Sequence, residues 1–179
     1  MLEWFGSEGI TIKALILCAG LGKRLGLKKT PKCMVKVNGK PILEHLVNHL
    51  NKAGITEIII NVHKNYEKIF KYFGTRLLYL YEPILLGEDG TEKILSKWLG
   101  DQYIIMNGDT LTNIDLLKMA EFGAKEIWFW NPRKLHYAGT KMINKVGIGF
   151  LISYWDGDGA YYFDIGTPAK LRKARKFFK

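Results

Sequence analysis

Glycines and cations are concentrated in residues 15–34, which read LILCAGLGKRLGLKKTPKCM. An apolar run ends at Leu17, and Gly20 and Gly22 follow it. Glycine backbone amides can approach a phosphate closely, because no Cβ stands in the way. The cations around these glycines are Lys23, Arg24, Lys28, Lys29 and Lys32. We therefore predict an open cationic strap that binds a triphosphate; the alternative is a basic turn in solvent with no ligand.

Two common phosphate-binding loops do not fit this stretch. The dinucleotide fingerprint needs its third glycine where Leu25 stands and a helix that begins there, but Gly26 and Pro31 prevent a long helix. The Walker loop needs four residues between its first glycine and its Gly-Lys pair, followed by Ser or Thr. Here Arg24 follows Lys23. The residues therefore favour a triphosphate site of another kind.

Asp109 and Asp164 each stand at the end of a predicted strand. Either carboxylate could simply cap the helix that follows it. Mg²⁺, however, takes oxygen ligands from one or two carboxylates together with phosphate oxygens. Two carboxylates at the same edge of one sheet, beside a cationic loop, point to metal-dependent phosphoryl or nucleotidyl transfer.

The elements that would position these residues alternate between strand and helix. Apolar runs predict strands over residues 12–17, 57–62, 76–81, 103–106, 126–130, 146–153 and 161–163. Helices are predicted over residues 42–50, 66–73, 91–99, 114–121 and 169–178. We expect Thr112 or Asn113 to cap the fourth helix, and Asp164 or Thr167 to cap the last. This order implies a three-layer α/β/α, Rossmann-like fold with a mainly parallel sheet, whose ligands bind beyond the carboxyl ends of the strands.

Length and composition narrow the classes of function. A chain of 179 residues has the size of one domain, so residues 1–179 are predicted to form a single domain. The net charge of +10 suggests a phosphate-rich substrate, and the basic run at residues 170–176 is interpreted as a solvated helix face, so no nucleic acid is expected. No leader-like or membrane-spanning apolar run is apparent, which predicts a cytoplasmic protein with no membrane partner.

Five blocks of sequence occur in a characteristic order along the chain. They are LCAGLGKRL at residues 17–25 with Pro31 and Lys32, NGKPIL at 38–43, EPILLG at 82–87, NGDT at 107–110 and FDIGTP at 163–168. Together they resemble the sugar-1-phosphate nucleotidyltransferases. The last block, followed by a short basic helix, is similar to the compact members that make GDP-heptose or GDP-mannose. The resemblance implies the nucleotide-diphospho-sugar transferase, or GT-A-like, fold.

The resemblance also implies a reaction in which an NTP and a sugar 1-phosphate give an NDP-sugar and pyrophosphate. Arg24 would hold the triphosphate and stabilise the departing pyrophosphate, and Lys32 would bring the sugar phosphate to the α-phosphate. Asp109 and Asp164 would hold Mg²⁺. The nucleotide would lie along Ala19, Gly20, Gly22, Lys23, Glu82, Gly87 and Gly108.

Glu82 stands where the family reads the base. An ionised carboxylate only accepts hydrogen bonds, so it could take both N1–H and N2–H of guanine, whereas a Gln would better match uracil or thymine. GTP is therefore the favoured NTP. The alternative is that Glu82 points to solvent.

The chain departs from the family pattern at several positions. Lys23 replaces a usual Thr, which is compatible with an anion. Glu88 and Asp89 replace Thr-Ala and would repel the nucleotide unless they face outward or bind Mg²⁺.

The Phe-x-Glu-Lys block that clamps the sugar in the family is absent. Residues 135–163 are therefore predicted to be a shortened sugar-side region, followed by a C-terminal turn and helix at 164–179. Together with the acidic substitutions, this shortening leaves open a catalytically inactive, nucleotide-binding regulatory or scaffold homologue. Aromatic residues such as Trp98 would serve either a homodimer interface or the core.

Overall fold

Strands and helices alternate along the chain, as the apolar pattern predicts. The computed structural model describes residues 12–121, 124–131, 134–144, 150–155 and 159–179. The strands in these ranges are β1 (Lys13–Leu17), β2 (Lys36–Val37), β3 (Lys40–Pro41), β4 (Ile58–Val62), β5 (Leu78–Tyr81), β6 (Gln102–Asn107), β7 (Thr110–Thr112), β8 (Ala124–Asn131), β9 (Lys134–Asn144), β10 (Phe150–Trp155) and β11 (Tyr162–Asp164). The helices are α1 (Ile42–Lys52), α2 (Glu67–Phe73), α3 (Gly87–Leu99), α4 (Leu116–Glu121) and α5 (Pro168–Phe177).

The main sheet contains seven of these strands in the order β10-β8-β9-β6-β1-β4-β5. The pairs β1–β4, β1–β6, β4–β5 and β8–β10 are parallel, whereas β9 runs antiparallel to both of its neighbours. The predicted mainly parallel sheet is therefore confirmed. The sequence pattern does not predict β9, because the apolar periodicity is weak beyond residue 135.

The core explains why β1 reads as an unbroken apolar run. β1 lies between β4 and β6, and Ala14, Leu15 and Ile16 are completely buried. Strands covered on both faces need apolar residues at consecutive positions rather than at alternate ones. Ile16 belongs to the core cluster that contains the buried face of α1, and Leu15 belongs to a second cluster that contains residues of α3. No helix within the described ranges is long and apolar enough to span a bilayer.

Several predicted boundaries and caps differ from the structure. α3 begins at Gly87 rather than at residue 91, and α4 begins at Leu116 rather than at 114. Asp115 caps α4, since its Oδ1 accepts the Lys118 N–H at 2.9 Å. Asn113 is engaged elsewhere, because its side chain accepts a hydrogen bond from the Tyr161 N–H and donates one to the Gly159 carbonyl.

Two further predictions concern the C-terminal part of the chain. Thr167 caps α5 as predicted, because its Oγ1 accepts the Lys170 N–H at 3.3 Å. The strand predicted over residues 146–153 is observed as β10, and residues 145–149 lie outside the described ranges.

Asp164 reaches Asp109 through a second, two-stranded sheet. β11 pairs antiparallel with β7, which places Asp164 opposite Thr110, and the Ile165 N–H donates to the Asp109 carbonyl at 3.0 Å. The prediction that both aspartates end strands of one sheet is therefore wrong. The two residues still come together, because β7 follows Asp109 directly and pairs with β11, which ends at Asp164.

Gly108 sets how closely the carboxyl ends of β1 and β6 approach each other. Its N–H donates to the Leu17 carbonyl at 3.0 Å, and an added Cβ would stand 2.6 Å from that oxygen and 2.8 Å from Cys18 Sγ. Gly108→Ala should therefore separate the two strands and lower the free energy of unfolding by about 1–3 kcal/mol, measured by urea denaturation. Gly20→Ala is the matched control, because a Cβ there meets nothing within 4 Å. Equal stability of the two variants would contradict this prediction.

Candidate active site

A cavity of about 390 Å³ opens beyond the carboxyl ends of the central strands. Its wall contains residues at the ends of β1, β4, β5 and β6, where parallel sheets usually bind their ligands. The predicted site residues that line it are Ala19, Gly20, Lys32, Glu82, Gly87, Gly108 and Asp109. Segments that are far apart in the sequence are thus brought to one cavity of a size that suits a small molecule.

The predicted strap forms a 3₁₀ turn, Lys23–Leu25, between two left-handed glycines. Gly22 and Gly26 have φ values of 63° and 67°, which residues with a Cβ rarely adopt. Lys23 and Arg24 are exposed on this turn and do not line the cavity. The prediction that no long helix follows β1 is therefore confirmed, and the glycines allow the chain to turn sharply at this point.

Four charged side chains meet where β7 and β11 pair. Lys32 Nζ forms an ion pair with Asp109 Oδ2, and Lys170 Nζ forms one with Asp164 Oδ2. The side chains of Lys32, Asp109 and Asp164 are 13%, 24% and 22% exposed, so these charges are largely withdrawn from bulk water. We call these four residues the charged corner.

Arg24 approaches the charged corner from the strap. An added Cβ at Gly166 would stand 3.0 Å from Arg24 Nη2 and 2.7 Å from Asp164 Oδ1. The guanidinium and the carboxylate therefore flank the same glycine. The predicted catalytic and metal-binding residues are all gathered within this region, although Arg24 and Asp164 do not line the cavity itself.

The surroundings of Asp164 favour its ionised form. Burial alone would raise the pKa of this carboxyl, but the hydrogen bonds from Lys170 and from the Gly166 N–H, the latter at 2.5 Å, lower the pKa overall. Burial and the neighbouring carboxylates raise the pKa of Tyr162 to about 12, so this phenol stays neutral. The corner thus keeps an ionised carboxylate among cationic partners.

Asp109 and Asp164 offer the hard oxygen ligands that Mg²⁺ prefers. Within the described ranges, no three His, Cys, Asp or Glu residues form a group suited to a metal ion. An ion at this position would therefore complete its coordination with phosphate oxygens and water. Each carboxylate pairs with an ammonium group through its Oδ2, so an ion would have to share the carboxylate with that group or displace it. The donor set fits Mg²⁺ bound together with a nucleotide.

A second feature of the cavity is a buried polar cluster formed by Asn61, Glu82 and Thr91, of which Asn61 and Glu82 line the cavity. These residues are only 4%, 1% and 0% exposed, respectively. Asn61 Oδ1 accepts the N–H groups of Cys18 and Ala19, at 2.6 and 3.3 Å, directly after β1. The alternative that Glu82 points to solvent is wrong, because its carboxylate is buried within this cluster.

Comparison with known protein families finds a match to the MobA-like NTP transferase domain over residues 14–112, more than half of the chain. The chain belongs to this family. The matched part of this NTP transferase domain includes the strap, Lys32, Glu82 and Asp109, whereas Asp164 and Lys170 lie beyond it.

Two curated relatives share one name, D-glycero-alpha-D-manno-heptose 1-phosphate guanylyltransferase. The protein from Campylobacter jejuni is 40% identical over 115 residues, which are 60% of this chain and 52% of that protein. The protein from Aneurinibacillus thermoaerophilus is 38% identical over 118 residues, which are 62% of this chain and 51% of that protein. The NTP transferase chain described here spans about half the length of these curated relatives.

Solved structures share the fold of this NTP transferase domain. HddC from Yersinia pseudotuberculosis, also solved in complex with GMP-PN, has a TM-score of 0.77 and 22% identity over 94% of this chain and 100% of that one. A putative glucose-1-phosphate thymidylyltransferase from Bacillus anthracis, solved in complex with a sucrose, has a TM-score of 0.80 and 18% identity over 93% of this chain and 94% of that one. These likenesses confirm the GT-A-like, Rossmann-type fold.

The charge of Glu88, directly after Gly87, is compensated in this NTP transferase domain. Lys141 on β9 pairs with Glu88 at 2.5 Å and with Glu92 at 3.6 Å. Burial would lower the pKa of Lys141, but the two carboxylates raise it overall, so the ammonium persists. Asp89 is exposed. The repulsion predicted at Glu88 is therefore offset by a cation from a strand that the sequence pattern does not predict.

Three residues of the buried polar cluster and the charged corner are not among the predicted site residues, namely Asn61, Thr91 and Lys170. Asn61 carries a detectable signal, because it is a polar residue near the carboxyl end of a buried strand, as Asp109 is. Thr91 and Lys170 stand at ordinary positions within predicted helices. Nothing in their local sequence distinguishes them, because only the packing of the helices brings them to the site.

Cys18 lies in the cavity wall but should react slowly with thiol reagents. Burial, followed by a hydrogen bond with Cys33, raises the pKa of the Cys18 thiol, so the reactive thiolate is scarce at pH 8. We expect iodoacetamide to modify Cys18 at least about tenfold more slowly in the folded protein than in denaturant, measured by peptide mass spectrometry. Leu21→Cys provides an exposed reference thiol, since Leu21 is 37% exposed. Equal rates of modification of Cys18 and of the thiol introduced by Leu21→Cys, both measured in the folded variant, would contradict the prediction.

Proposed function

We propose that this chain transfers a nucleotidyl group from an NTP, with GTP favoured, to a sugar 1-phosphate and releases pyrophosphate. The observation that carries the proposal is the convergence of Arg24, Lys32 and two aspartates beside a cavity with a glycine-rich wall. Anionic substrates need cations, and in-line phosphoryl chemistry needs them placed before the reaction begins.

The two cations would serve different phosphates. A phosphate oxygen of the sugar attacks the α-phosphorus, the bond to the β-phosphate breaks, and pyrophosphate leaves with its electron pair. Lys32, which lies in the cavity wall, would hold the attacking phosphate and the α-phosphate together. Arg24 on the exposed strap would donate paired hydrogen bonds to the departing pyrophosphate, since a guanidinium matches two phosphate oxygens.

Asp109 and Asp164 would hold Mg²⁺ in this proposal. The ion, when bound, supplies positive charge that neutralises the phosphate oxygens and the leaving group. The β7–β11 pairing would keep the two carboxylates at a fixed separation, so that the chain does not have to close around the ion.

The choice of substrates is supported by the curated relatives. Both are named as guanylyltransferases of a heptose 1-phosphate, which supports GTP and a sugar 1-phosphate for this chain. The cytoplasmic location and a homodimer stay predictions.

Asp109→Asn tests the proposed chemistry. The substitution keeps the size of the side chain but removes the charge that faces Lys32, so pyrophosphate release should fall about a hundredfold or more while the protein remains folded. The assay pairs each NTP with a panel of sugar 1-phosphates, and circular dichroism checks the fold. Glu67→Gln, which removes an exposed charge from α2, is the matched control. Activity of Asp109→Asn equal to that of the control would overturn the assigned role.

A nucleotide-binding homologue without turnover is the second candidate. It is supported by Glu88, an acidic residue that lines the cavity, and by the absence of the Phe-x-Glu-Lys block from the sequence. The same panel separates the two candidates: saturable binding of GTP with no pyrophosphate release for any sugar phosphate would favour the inactive homologue.

A further inference from the structure

We propose that Glu82 positions the wall of the nucleotide cavity and does not itself read the base. The inference rests on the proposed function in one respect only, namely that the cavity holds a nucleotide. It concerns the buried polar cluster of Asn61, Glu82 and Thr91 defined above.

The carboxylate of Glu82 is already occupied by donors from the chain. Its Oε1 accepts hydrogen bonds from Asn61 Nδ2, at 3.0 Å, and from the Thr91 hydroxyl. Its Oε2 accepts the Leu86 N–H at 3.2 Å. A carboxylate has about four acceptor positions, so roughly one remains. Guanine would need two, for N1–H and N2–H, and could obtain the second only by displacing a buried donor.

Displacing such a donor is costly. Asn61 and Glu82 are 4% and 1% exposed, so the Asn61 amide released from the carboxylate would have no water to replace its partner, whereas the Thr91 hydroxyl would keep the Gly87 carbonyl, 2.8 Å away, as its acceptor. An unsatisfied buried polar group costs more than an ordinary hydrogen bond gains. The present bonding pattern is therefore the stable one, and the base must be recognised by other groups.

The cluster joins two parts of the cavity wall that come from different segments of the chain. Through Asn61 it holds the Cys18 and Ala19 N–H groups, which lead into the glycine strap. Through the Leu86 N–H it holds the segment at residues 83–87, of which Leu85 and Gly87 line the cavity. Glu82 thus determines the spacing between the strap and this segment. Recognition of the base is left to other residues of the wall, among which are Leu85 and Gly87 of this segment.

The first test compares GTP with ITP, which lacks the N2 amino group of guanine. Glu82→Gln keeps the shape of the side chain but replaces one acceptor oxygen with an NH₂ group. This NH₂ group would face one of the protein donors that now bond to the carboxylate. We expect Glu82→Gln to weaken the binding of GTP and of ITP about fivefold each, measured by isothermal titration calorimetry, with the GTP-to-ITP affinity ratio unchanged within twofold. Loss of a preference for GTP over ITP in this variant would overturn the proposal and make Glu82 the base reader.

The second test uses a residue that cannot contact the nucleotide. Thr91 is completely buried and does not line the cavity, yet its hydroxyl bonds to Glu82. Thr91→Val removes this hydroxyl at nearly constant volume and should weaken GTP binding about fivefold. Thr91→Ser keeps the hydroxyl and should bind like the parent protein, which a general packing defect would not allow. GTP affinity of Thr91→Val equal to that of the parent would overturn the proposal.

Thermal denaturation of every variant identifies protein that is unfolded at the titration temperature. If Glu82→Gln does not fold, the comparison of Thr91→Val with Thr91→Ser still tests whether Glu82 positions the cavity wall. A parent protein that binds GTP without turnover refutes the proposed reaction but leaves this test intact. A parent protein that binds neither nucleotide refutes both the proposed function and this inference.

Discussion

The pairing of β11 with β7 is the constraint on which the candidate site depends. Asp109 lies between β6 and β7, and Asp164 ends a strand more than fifty residues later in the chain. Two carboxylates held close together repel each other in a medium of low dielectric constant. Lys32 and Lys170 each neutralise one of them, so the charged corner can form as part of the fold. The same arrangement gathers two ammonium groups at the corner, and one of them, that of Lys32, belongs to a residue that lines the cavity.

The buried cluster of Asn61, Glu82 and Thr91 plays a corresponding part in another portion of the cavity wall. Buried polar groups must find partners, and a fully bonded network holds its members in one arrangement. Here the partners come from the turn after β1, the segment after β5 and the helix α3. A substitution of any one of these three residues would therefore alter the positions of both the turn after β1 and the segment after β5. In the proposed function the charged corner would attract the phosphates, whereas this cluster would hold the shape of the cavity wall.

Local sequence signals account for much of the candidate site. The glycine strap and its cations, and the aspartates at the ends of strands, could be identified because each follows a recognisable apolar run. The direction of Glu82 could not be inferred, since a carboxylate near a ligand site can face the ligand, the solvent or the protein interior. Only the donors around it decide among these. Likewise, the sequence suggested repulsion at Glu88, and Lys141 on β9 offsets it through a strand with weak apolar periodicity.

The sequence alone determined the alternation of strands and helices, the mainly parallel sheet and the set of residues able to bind phosphate. These follow from local patterns, because burial of both faces of a strand and the conformational freedom of glycine are properties of short segments. The tertiary structure alone decided that Asp164 reaches Asp109 through a separate sheet, that Lys170 joins the charged corner and that Glu82 turns inward. Each of these depends on which distant groups are brought into contact, and hydrogen bonds and ion pairs form between neighbours in space rather than in sequence.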